Sequence, residues 1–402
     1  MLIPHEATQP HPALRDLDTS GSFTLSKPYR PAWAEVDLNN IRHNVGLLAR
    51  LVAPAGLMAV VKADGYGHGS VAAAYAAFEA GATWLGVALV EEGVELRDAG
   101  IDMPILLLSQ PPADAARAVI DANLTPVVCT LRFVDALAKA AADAGVESHP
   151  VHLKVDTGMH RIGCAPSEAL DVAPAIKKHR ELHLQGLLTH FAVADEPDNP
   201  YTAHQLSVFE AVRKELARMG IRPPLVHASN SAGVLTAPDA RYDLVRCGIS
   251  IYGIAPGAEL DGRLPLKPAL SLKARVSYVR RLQAGERLSY GLRYELAEPS
   301  TVVTVPVGYA DGVPRRLGQV GGEVLIGGRR RPIAGTVTMD QLLVDLGSGP
   351  DADAVEVDTE VVLLGRQGDD YISASEWAEK LGTIPYEVCC GIGERVPRRY
   401  LG

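Results

Sequence analysis

The feature that most constrains the fold is an alternation, between about residues 57 and 246, of short apolar runs with longer segments rich in alanine, leucine and glutamate. Short β-branched runs bounded by turn residues indicate buried strands, whereas the longer segments, such as 70–80 and 91–99, have helical composition. The candidate strands are 57–62, 85–90, 104–109, 125–129, 151–156, 184–190, 225–228 and 244–246. Eight strands with helical connections predict an α/β protein with a parallel (β/α)8 TIM-type barrel, and a doubly wound sheet is the alternative.

The pattern changes beyond the barrel, which we assign to residues 31–265. Helical stretches become rare in 266–402, and Gly and Pro turns separate β-rich runs, so this part predicts a mostly β C-terminal domain. The runs are 275–281, 301–307, 323–326, 339–345 and 360–364. A helix is expected at 375–381, with Ser373 as its cap. A strand at 31–38 precedes the barrel and is a candidate to pair with the C-terminal domain.

Composition excludes several classes of function. The formal charge is −9 and the acidic and basic residues are interspersed, so no basic surface for nucleic acid or membrane is indicated. No apolar stretch is long enough to span a bilayer. The five cysteines are scattered, without metal-ligand spacing, which predicts free thiols in a reducing cytoplasm and no metal site. Residues 1–30 lack the pattern of a signal peptide and are expected to be a mobile extension.

The first predicted strand runs directly into a lysine, in the sequence MAVVKADGYGHG. A lone lysine at a strand end is usually a solvated residue. A lysine held in a cleft can instead lose enough hydration to act as a nucleophile or a Schiff-base partner. The rest of the chain must distinguish these interpretations of Lys62.

Other polar residues also follow predicted strands, and the carboxyl ends of barrel strands carry the chemistry in this fold. They include Lys154, His190, Ser231 and Arg246. Each has an ordinary alternative: His190 could be a satisfied core histidine, and Lys154 could form a buried ion pair with Asp156. Because loops after the last barrel strands often bind phosphate, this group together with Lys62 predicts a pyridoxal phosphate pocket.

Several motifs together resemble the alanine racemase family from about residue 34 to the C-terminus. They are MAVVKADGYGHG, KVDTGMHRIG, SNSAG, DLVRCGISIYG, LSYG, GYADGVPR, TMDQ and PYEV. The resemblance implies a barrel followed by a β domain, pyridoxal 5'-phosphate as cofactor, and alanine as substrate. It also implies a head-to-tail homodimer in which the partner's C-terminal domain completes each active site.

The resemblance implies a two-base mechanism, since racemisation removes a proton from one face of Cα and returns it from the other. Lys62 is then the base for D-alanine and Tyr290, in LSYG, the base for L-alanine, with His190 beside it. Arg246 faces the pyridine nitrogen, which stays unprotonated because a guanidinium cannot accept a proton.

Further roles follow from the same motifs. The substrate carboxylate is expected at Arg161 and the backbone N–H of Met339. Asp340 is expected to line the partner's side of the pocket, and Tyr309 belongs to the same entrance. Lys154 matches a lysine that some members carry as a carbamate. The phosphate contacts carried over are Tyr66, Ser231, Gly248, Ile249 and Tyr386. Thr336 replaces an arginine usual in the entrance corridor, so we expect one positive charge fewer there.

The function implied is interconversion of L- and D-alanine, supplying D-alanine for peptidoglycan. A racemase of another small amino acid such as serine is one alternative. A basic-amino-acid decarboxylase of related fold is another, and Arg246 and Tyr290 count against it. A non-enzymatic cofactor carrier with only the barrel would need no counterpart of Tyr290, Met339 or Asp340.

Overall fold

The computed structural model describes residues 29–402, so nearly all of the extension predicted at 1–30 lies outside the described residues. The strands are β1 (Ala32–Asp37), β2 (Gly56–Val60), β3 (Trp84–Val87), β4 (Ile105–Leu107), β5 (Thr125–Val128), β6 (His149–Lys154), β7 (Leu182–Leu188), β8 (Leu225–His227), β9 (Leu244–Cys247), β10 (Leu270–Arg275), β11 (Tyr278–Leu282), β12 (Arg287–Leu288), β13 (Tyr294–Glu295), β14 (Ser300–Val305), β15 (Glu323–Ile326), β16 (Arg329–Pro332), β17 (Leu342–Asp345), β18 (Glu360–Gln367), β19 (Asp370–Ile372) and β20 (Arg398–Leu401).

Helices connect the barrel strands and are sparse elsewhere. They are α1 (Leu38–Val52), α2 (Ser70–Glu79), α3 (Val90–Asp98), α4 (Ala116–Asp121), α5 (Leu131–Asp143), α6 (Pro166–Lys178), α7 (Tyr201–Arg218), α8 (Gly233–Thr236), α9 (Pro350–Asp353), α10 (Ala374–Leu381) and α11 (Pro385–Cys390). Ser373 caps α10 as predicted, since its Oγ accepts a hydrogen bond of 2.9 Å from the Glu376 backbone N–H.

Strands β2 to β9 form one parallel eight-stranded barrel, which confirms the predicted fold class. Neighbours follow chain order from β2 to β8, and β9 pairs with β2, with Met58 opposite Arg246. The barrel closes between β8 and β9, where the Asp243 N–H donates to the Val226 carbonyl at 3.1 Å. The doubly wound alternative is therefore wrong, because such a sheet stays open at both edges.

The barrel interior is apolar on most strands and polar on two. A cluster of six buried side chains fills it, namely Met58, Trp84, Leu106, Val127, Leu188 and Leu244. β6 and β8 contribute none of these, and they carry the fully buried His152 and His227 instead. Barrel interiors are usually filled by branched aliphatic residues, so the two histidines are an exception. Because their ring nitrogens are polar and buried, they require hydrogen-bond partners.

The C-terminal part is built around a sheet with the order β16-β15-β18-β10-β1-β20. β1 precedes the barrel in sequence but lies in this sheet, antiparallel to β10 and parallel to β20. A second sheet, β11-β14-β17, and the β12–β13 hairpin complete this part. The boundary at 265/266 stays a prediction. Within residues 29–402, no helix has both the length and the apolarity required to cross a bilayer.

Candidate active site at the barrel mouth

A left-handed turn follows β2 and carries the predicted lysine at its start. Ala63, Asp64, Gly65 and Tyr66 have φ values of 52°, 50°, 59° and 55°. Such a conformation costs energy for residues other than glycine, and it persists only where the surroundings fix it. Here the Ala63 N–H donates to Glu92 Oε1 at 2.7 Å, and Asp64 Oδ1 accepts from the Ser70 N–H at 2.9 Å. The turn therefore holds Lys62 at the C-terminal mouth of the barrel.

The Lys62 amine has the environment of a nucleophile. Burial, followed by the positive charge of Arg161, lowers the pKa of Lys62 below its ordinary value, and the nearby Glu92 and Cys390 oppose the shift in part. Among residues 29–402, Nζ has no hydrogen-bond or ion-pair partner within contact distance. A lowered pKa increases the neutral fraction that can attack a carbonyl. The alternative of a merely solvated lysine does not fit a half-buried amine.

Arg246, on β9, is a buried guanidinium at the centre of the site. Its Nη2 donates to the carbonyls of Thr189 and Ala228, both at 2.8 Å, and contacts His190 Nδ1 at 3.2 Å. Burial lowers the pKa of Arg246 to about 10, so it remains a cation at neutral pH. Its Nε–H finds no acceptor in the described part of the chain. That donor is free for an acceptor atom of a bound group.

A directed hydrogen-bond chain runs from Arg246 into the barrel. Arg246 Nη1 lies 3.0 Å from His227 Nδ1, His227 Nε2 lies 2.9 Å from His152 Nδ1, and His152 Nε2 lies 3.3 Å from Gln185 Oε1. Because a guanidinium can only donate, His227 Nδ1 must accept, and each histidine in turn carries its proton on Nε2. Burial lowers the pKa of His152 to about 4, and burial with the charge of Arg246 lowers the pKa of His227 well below its ordinary value, so both are neutral.

Replacing His227 with leucine should destabilise the protein strongly. The change leaves an Arg246 N–H and His152 Nδ1 buried without partners, which costs about 3 kcal/mol of the free energy of unfolding. Denaturant titration followed by circular dichroism measures it. The matched control is His183→Leu, an exposed histidine on β7, expected to change stability by less than about 0.5 kcal/mol. Equal stability of the two variants would contradict the assigned chain.

The predicted phosphate residues come together at one side of the mouth. The Gly248 N–H donates to Ser231 Oγ at 3.0 Å. A Cβ on Gly248 would lie 2.4 Å from the Tyr66 hydroxyl, so only glycine fits there. Ile249 opens a short 3-10 turn, whose first amides lack partners within the helix. Tyr386, on α11, has its ring centroid 6.0 Å from that of Tyr66. Hydroxyls and amides so arranged can hold a phosphate.

Lys154 lies at the end of β6 and does not pair with Asp156, so the ion-pair alternative is wrong. Its Nζ donates to the Leu108 carbonyl at 2.9 Å. Asp156 instead accepts from the backbone N–H groups of Gly158 and His160 at 2.9 and 3.0 Å. Burial, together with Arg246, lowers the pKa of Lys154 to about 8. A substantial neutral fraction is therefore present near physiological pH.

Arg161 lies on the loop after β6, exposed, and its guanidinium has no hydrogen-bond or ion-pair partner among residues 29–402. Its charge contributes to the lowered pKa values of both Lys62 and Lys154. A free guanidinium beside these amines can bind a carboxylate through two parallel hydrogen bonds.

The remaining predicted site residues lie on the C-terminal part and are exposed. Tyr290 is 70% exposed, Met339 52% and Tyr309 41%. The Tyr309 and Met339 segments are joined, since the Ala310 N–H donates to the Met339 carbonyl at 3.0 Å, and Asp340 pairs with Arg395 at 2.8 Å. Within residues 29–402 of one chain, no hydrogen bond, ion pair or ring contact joins Tyr290 to Lys62 or Arg246.

Three residues that organise the site were not predicted from the sequence. His152 and His227 connect to Arg246 through contacts between strands distant in sequence, and only their unusual position in an apolar barrel interior could have indicated them. Glu92 binds the Ala63 N–H and, through its other oxygen, the N–H groups of Ala88 and Leu89 at 2.7 and 3.0 Å. Its place in the first turn of α3 gave only a capping signal.

Known proteins match nearly the whole of the chain that the structure describes. The family models "Alanine racemase, N-terminal domain" and "Alanine racemase, C-terminal domain" match residues 36–256 and 269–400. A relative named alanine racemase, from Symbiobacterium thermophilum, is 48% identical over 373 residues, covering 93% of this chain and 98% of its own.

Solved structures agree in fold. The alanine racemase of D-cycloserine-producing Streptomyces lavendulae has a TM-score of 0.88 and 38% identity, over 94% of this chain and 98% of that one. A histidine racemase from Leuconostoc mesenteroides has a TM-score of 0.85 and 30% identity, over 94% and 99%. The chain therefore belongs to the alanine racemase family of isomerases.

Proposed function

We propose that the protein is a pyridoxal-phosphate-dependent racemase that interconverts L- and D-alanine with two bases. The observation that carries the proposal is a pair of cationic residues at one barrel mouth. Lys62 has a lowered pKa, and the buried Arg246 has an Nε–H without a partner in residues 29–402. The lysine suits attachment of a carbonyl cofactor, and the arginine suits contact with a pyridine nitrogen that must stay unprotonated.

The described residues fit this cofactor. Arg246 Nε–H would donate to the ring nitrogen, and the Ser231 hydroxyl, the amides of Gly248 and Ile249, and the hydroxyls of Tyr66 and Tyr386 would surround the phosphate. When bound, pyridoxal phosphate supplies an electron sink that makes the α-hydrogen of an amino acid acidic. An arginine at the ring nitrogen limits that sink, which disfavours side reactions and argues against a decarboxylase.

Two bases on opposite faces of Cα would move the proton. Lys62 serves the face from which D-alanine loses its hydrogen, and Tyr290 serves the face of L-alanine. His190 Nδ1 accepts from Arg246, so its Nε2 carries hydrogen and can donate to a phenolate oxygen. Such a donor favours the charged form of the group that it contacts.

Because Tyr290 and Met339 are exposed and make no hydrogen bond or ion pair with Lys62 within residues 29–402 of one chain, we propose a homodimer with shared sites. The partner's Tyr290 and Met339 would complete the site formed by Lys62, Arg161 and Arg246 of one subunit. Arg161 and the Met339 N–H of the partner would hold the substrate carboxylate. We place the enzyme in the cytoplasm, supplying D-alanine for peptidoglycan.

Alanine is the substrate that we propose, and other amino acids are tested beside it. The histidine racemase neighbour shows that this fold is compatible with another side chain. Purified protein with pyridoxal phosphate should abolish the optical rotation of L-alanine faster than that of L-serine, L-histidine or L-lysine. Release of carbon dioxide from L-lysine, or faster racemisation of another amino acid, would overturn this assignment.

Carbamylation of Lys154 should increase with pH at fixed dissolved carbon dioxide. Carbon dioxide reacts only with a neutral amine, and a pKa of about 8 means that the neutral form grows as pH rises through that value. With ¹³C-labelled carbon dioxide, a carbamate carbon signal should be stronger at about pH 9 than at about pH 6. The control is Lys154→Ala, which should lose this signal. A signal that survives in this variant would place the modification elsewhere.

A further inference from the structure

The loop that carries Tyr290 is weakly held along its own backbone. It spans residues 289–293, between β12 and β13, and Tyr290 and Leu292 are 70% and 56% exposed. One backbone hydrogen bond crosses it, from the Leu292 N–H to the Ser289 carbonyl at 3.1 Å. Ser289 and Leu292 have left-handed φ values of 60° and 49°, which non-glycine residues rarely adopt. The loop therefore needs support from outside itself.

That support comes from Thr336 through a reciprocal pair of hydrogen bonds, which we call the Thr336 clasp. Ser289 Oγ donates to the Thr336 carbonyl at 2.5 Å, and Thr336 Oγ1 donates to the Tyr290 carbonyl at 3.1 Å. Gln319 Nε2 donates to Thr336 Oγ1 at 3.3 Å, which leaves the hydroxyl proton for Tyr290. Each direction is fixed because carbonyl oxygens only accept.

The clasp is shielded from water. Thr336 is only 3% exposed, although Tyr290 itself projects into solvent. Gly335 has a φ of 82°, and a Cβ there would lie 3.0 Å from Ser289 Cβ, so the two segments are in direct contact. Water cannot easily replace a hydrogen bond made by such a buried side chain. Loss of the Thr336 hydroxyl would therefore leave the Tyr290 carbonyl with a poorer partner. Thr336 thus lies beneath the loop that carries Tyr290.

We propose that Thr336 is a positioning residue for Tyr290, acting through the backbone carbonyl of the tyrosine itself. This inference rests on the proposed function, which assigns Tyr290 as the base for L-alanine. Proton transfer needs the reacting atoms within about 3–3.5 Å, and a misplacement of about 1 Å can cost about a hundredfold in rate. Holding the Tyr290 carbonyl fixes the point from which the phenol reaches towards Cα.

Thr336→Val keeps the shape and removes the hydroxyl, and it should slow racemisation by about tenfold to a hundredfold. Thr336→Ser restores the hydroxyl and should recover most of the rate. In D₂O, Thr336→Val should still exchange the α-hydrogen of D-alanine through Lys62 before the substrate racemises. In the cofactor-free protein, amides of 289–293 should exchange hydrogen faster in Thr336→Val than in Thr336→Ser, as measured by mass spectrometry.

A double-mutant cycle separates positioning from general damage. In the Tyr290→Phe background, Thr336→Val should slow racemisation no further, because its effect passes through the phenol. Equal slowing in both backgrounds, or a wild-type rate in Thr336→Val, would overturn the clasp while the base assignment of Tyr290 stands. A wild-type rate in Tyr290→Phe would overturn both. If Thr336→Val folds poorly, Ser289→Ala breaks the other half of the clasp and is held to the same outcomes.

Discussion

Lys62→Ala is expected to lose both racemisation and the visible absorbance of covalently attached cofactor. The amine has two proposed tasks, attachment of pyridoxal phosphate and proton transfer on the D-alanine face, so one substitution removes both. Loss of a positioned acid–base group alone slows reactions by about 10²–10⁴-fold, and loss of attachment adds to it. Racemisation followed by optical rotation and the absorbance spectrum of the purified protein measure the two tasks separately.

The matched control for this experiment is Lys139→Ala. Lys139 lies on α5, is exposed, and pairs with Asp143 four residues later. Its replacement should leave the spectrum and the rate unchanged, since an exposed ion pair contributes little to stability. An unaltered absorbance band in Lys62→Ala would remove Lys62 from the attachment role.

Tyr290→Phe is expected to slow racemisation by about 10²–10⁴-fold. Phenylalanine keeps the ring and removes the hydroxyl that exchanges the proton on the L-alanine face. The two enantiomers have equal free energy, so kcat/KM must fall by the same factor in both directions. The rates therefore cannot reveal by themselves which face has been lost.

Hydrogen exchange can identify the face. In D₂O, Lys62 of the Tyr290→Phe variant should still remove and return the α-hydrogen of D-alanine, so that remaining D-alanine becomes deuterated while racemisation lags. L-alanine should show no such exchange. Proton NMR of the recovered substrate distinguishes the two. Faster exchange of L-alanine than D-alanine would reverse the assignment of the faces.

A control and a mixing experiment complete this test. Tyr278→Phe, at an exposed tyrosine on β11, should keep the wild-type rate.

Mixing Lys62→Ala and Tyr290→Phe chains under conditions that exchange subunits should restore activity, because a mixed dimer contains one site with both Lys62 and the partner's Tyr290. Absence of any recovery would argue against shared sites.

Local pattern was sufficient for the barrel and for the residues at its strand ends. The strand boundaries were less accurate: the run predicted at 85–90 ends as a strand at Val87, because Val90 already begins α3. Glu91 and Glu92, in the first turn of that helix, favour its start there through the helix dipole. The short helix α11 was not predicted, since six residues beginning at a proline give too little periodicity to recognise.

The sequence by itself determined which chemical groups follow which strands, because apolar runs, turns and motifs are local properties of a chain. It thereby predicted the barrel, the resemblance to the family, and the positions of Lys62 and Arg246 at the barrel mouth. Only the tertiary structure decided which way each hydrogen bond points and where Thr336 lies. Two sets of hydrogen bonds illustrate this: the chain from Arg246 through His227 to His152, and the bond from Thr336 to Tyr290. They join residues that lie 19 to 75 positions apart in the sequence. Such contacts leave no periodic pattern in the sequence, so they could be found only from the positions of the atoms.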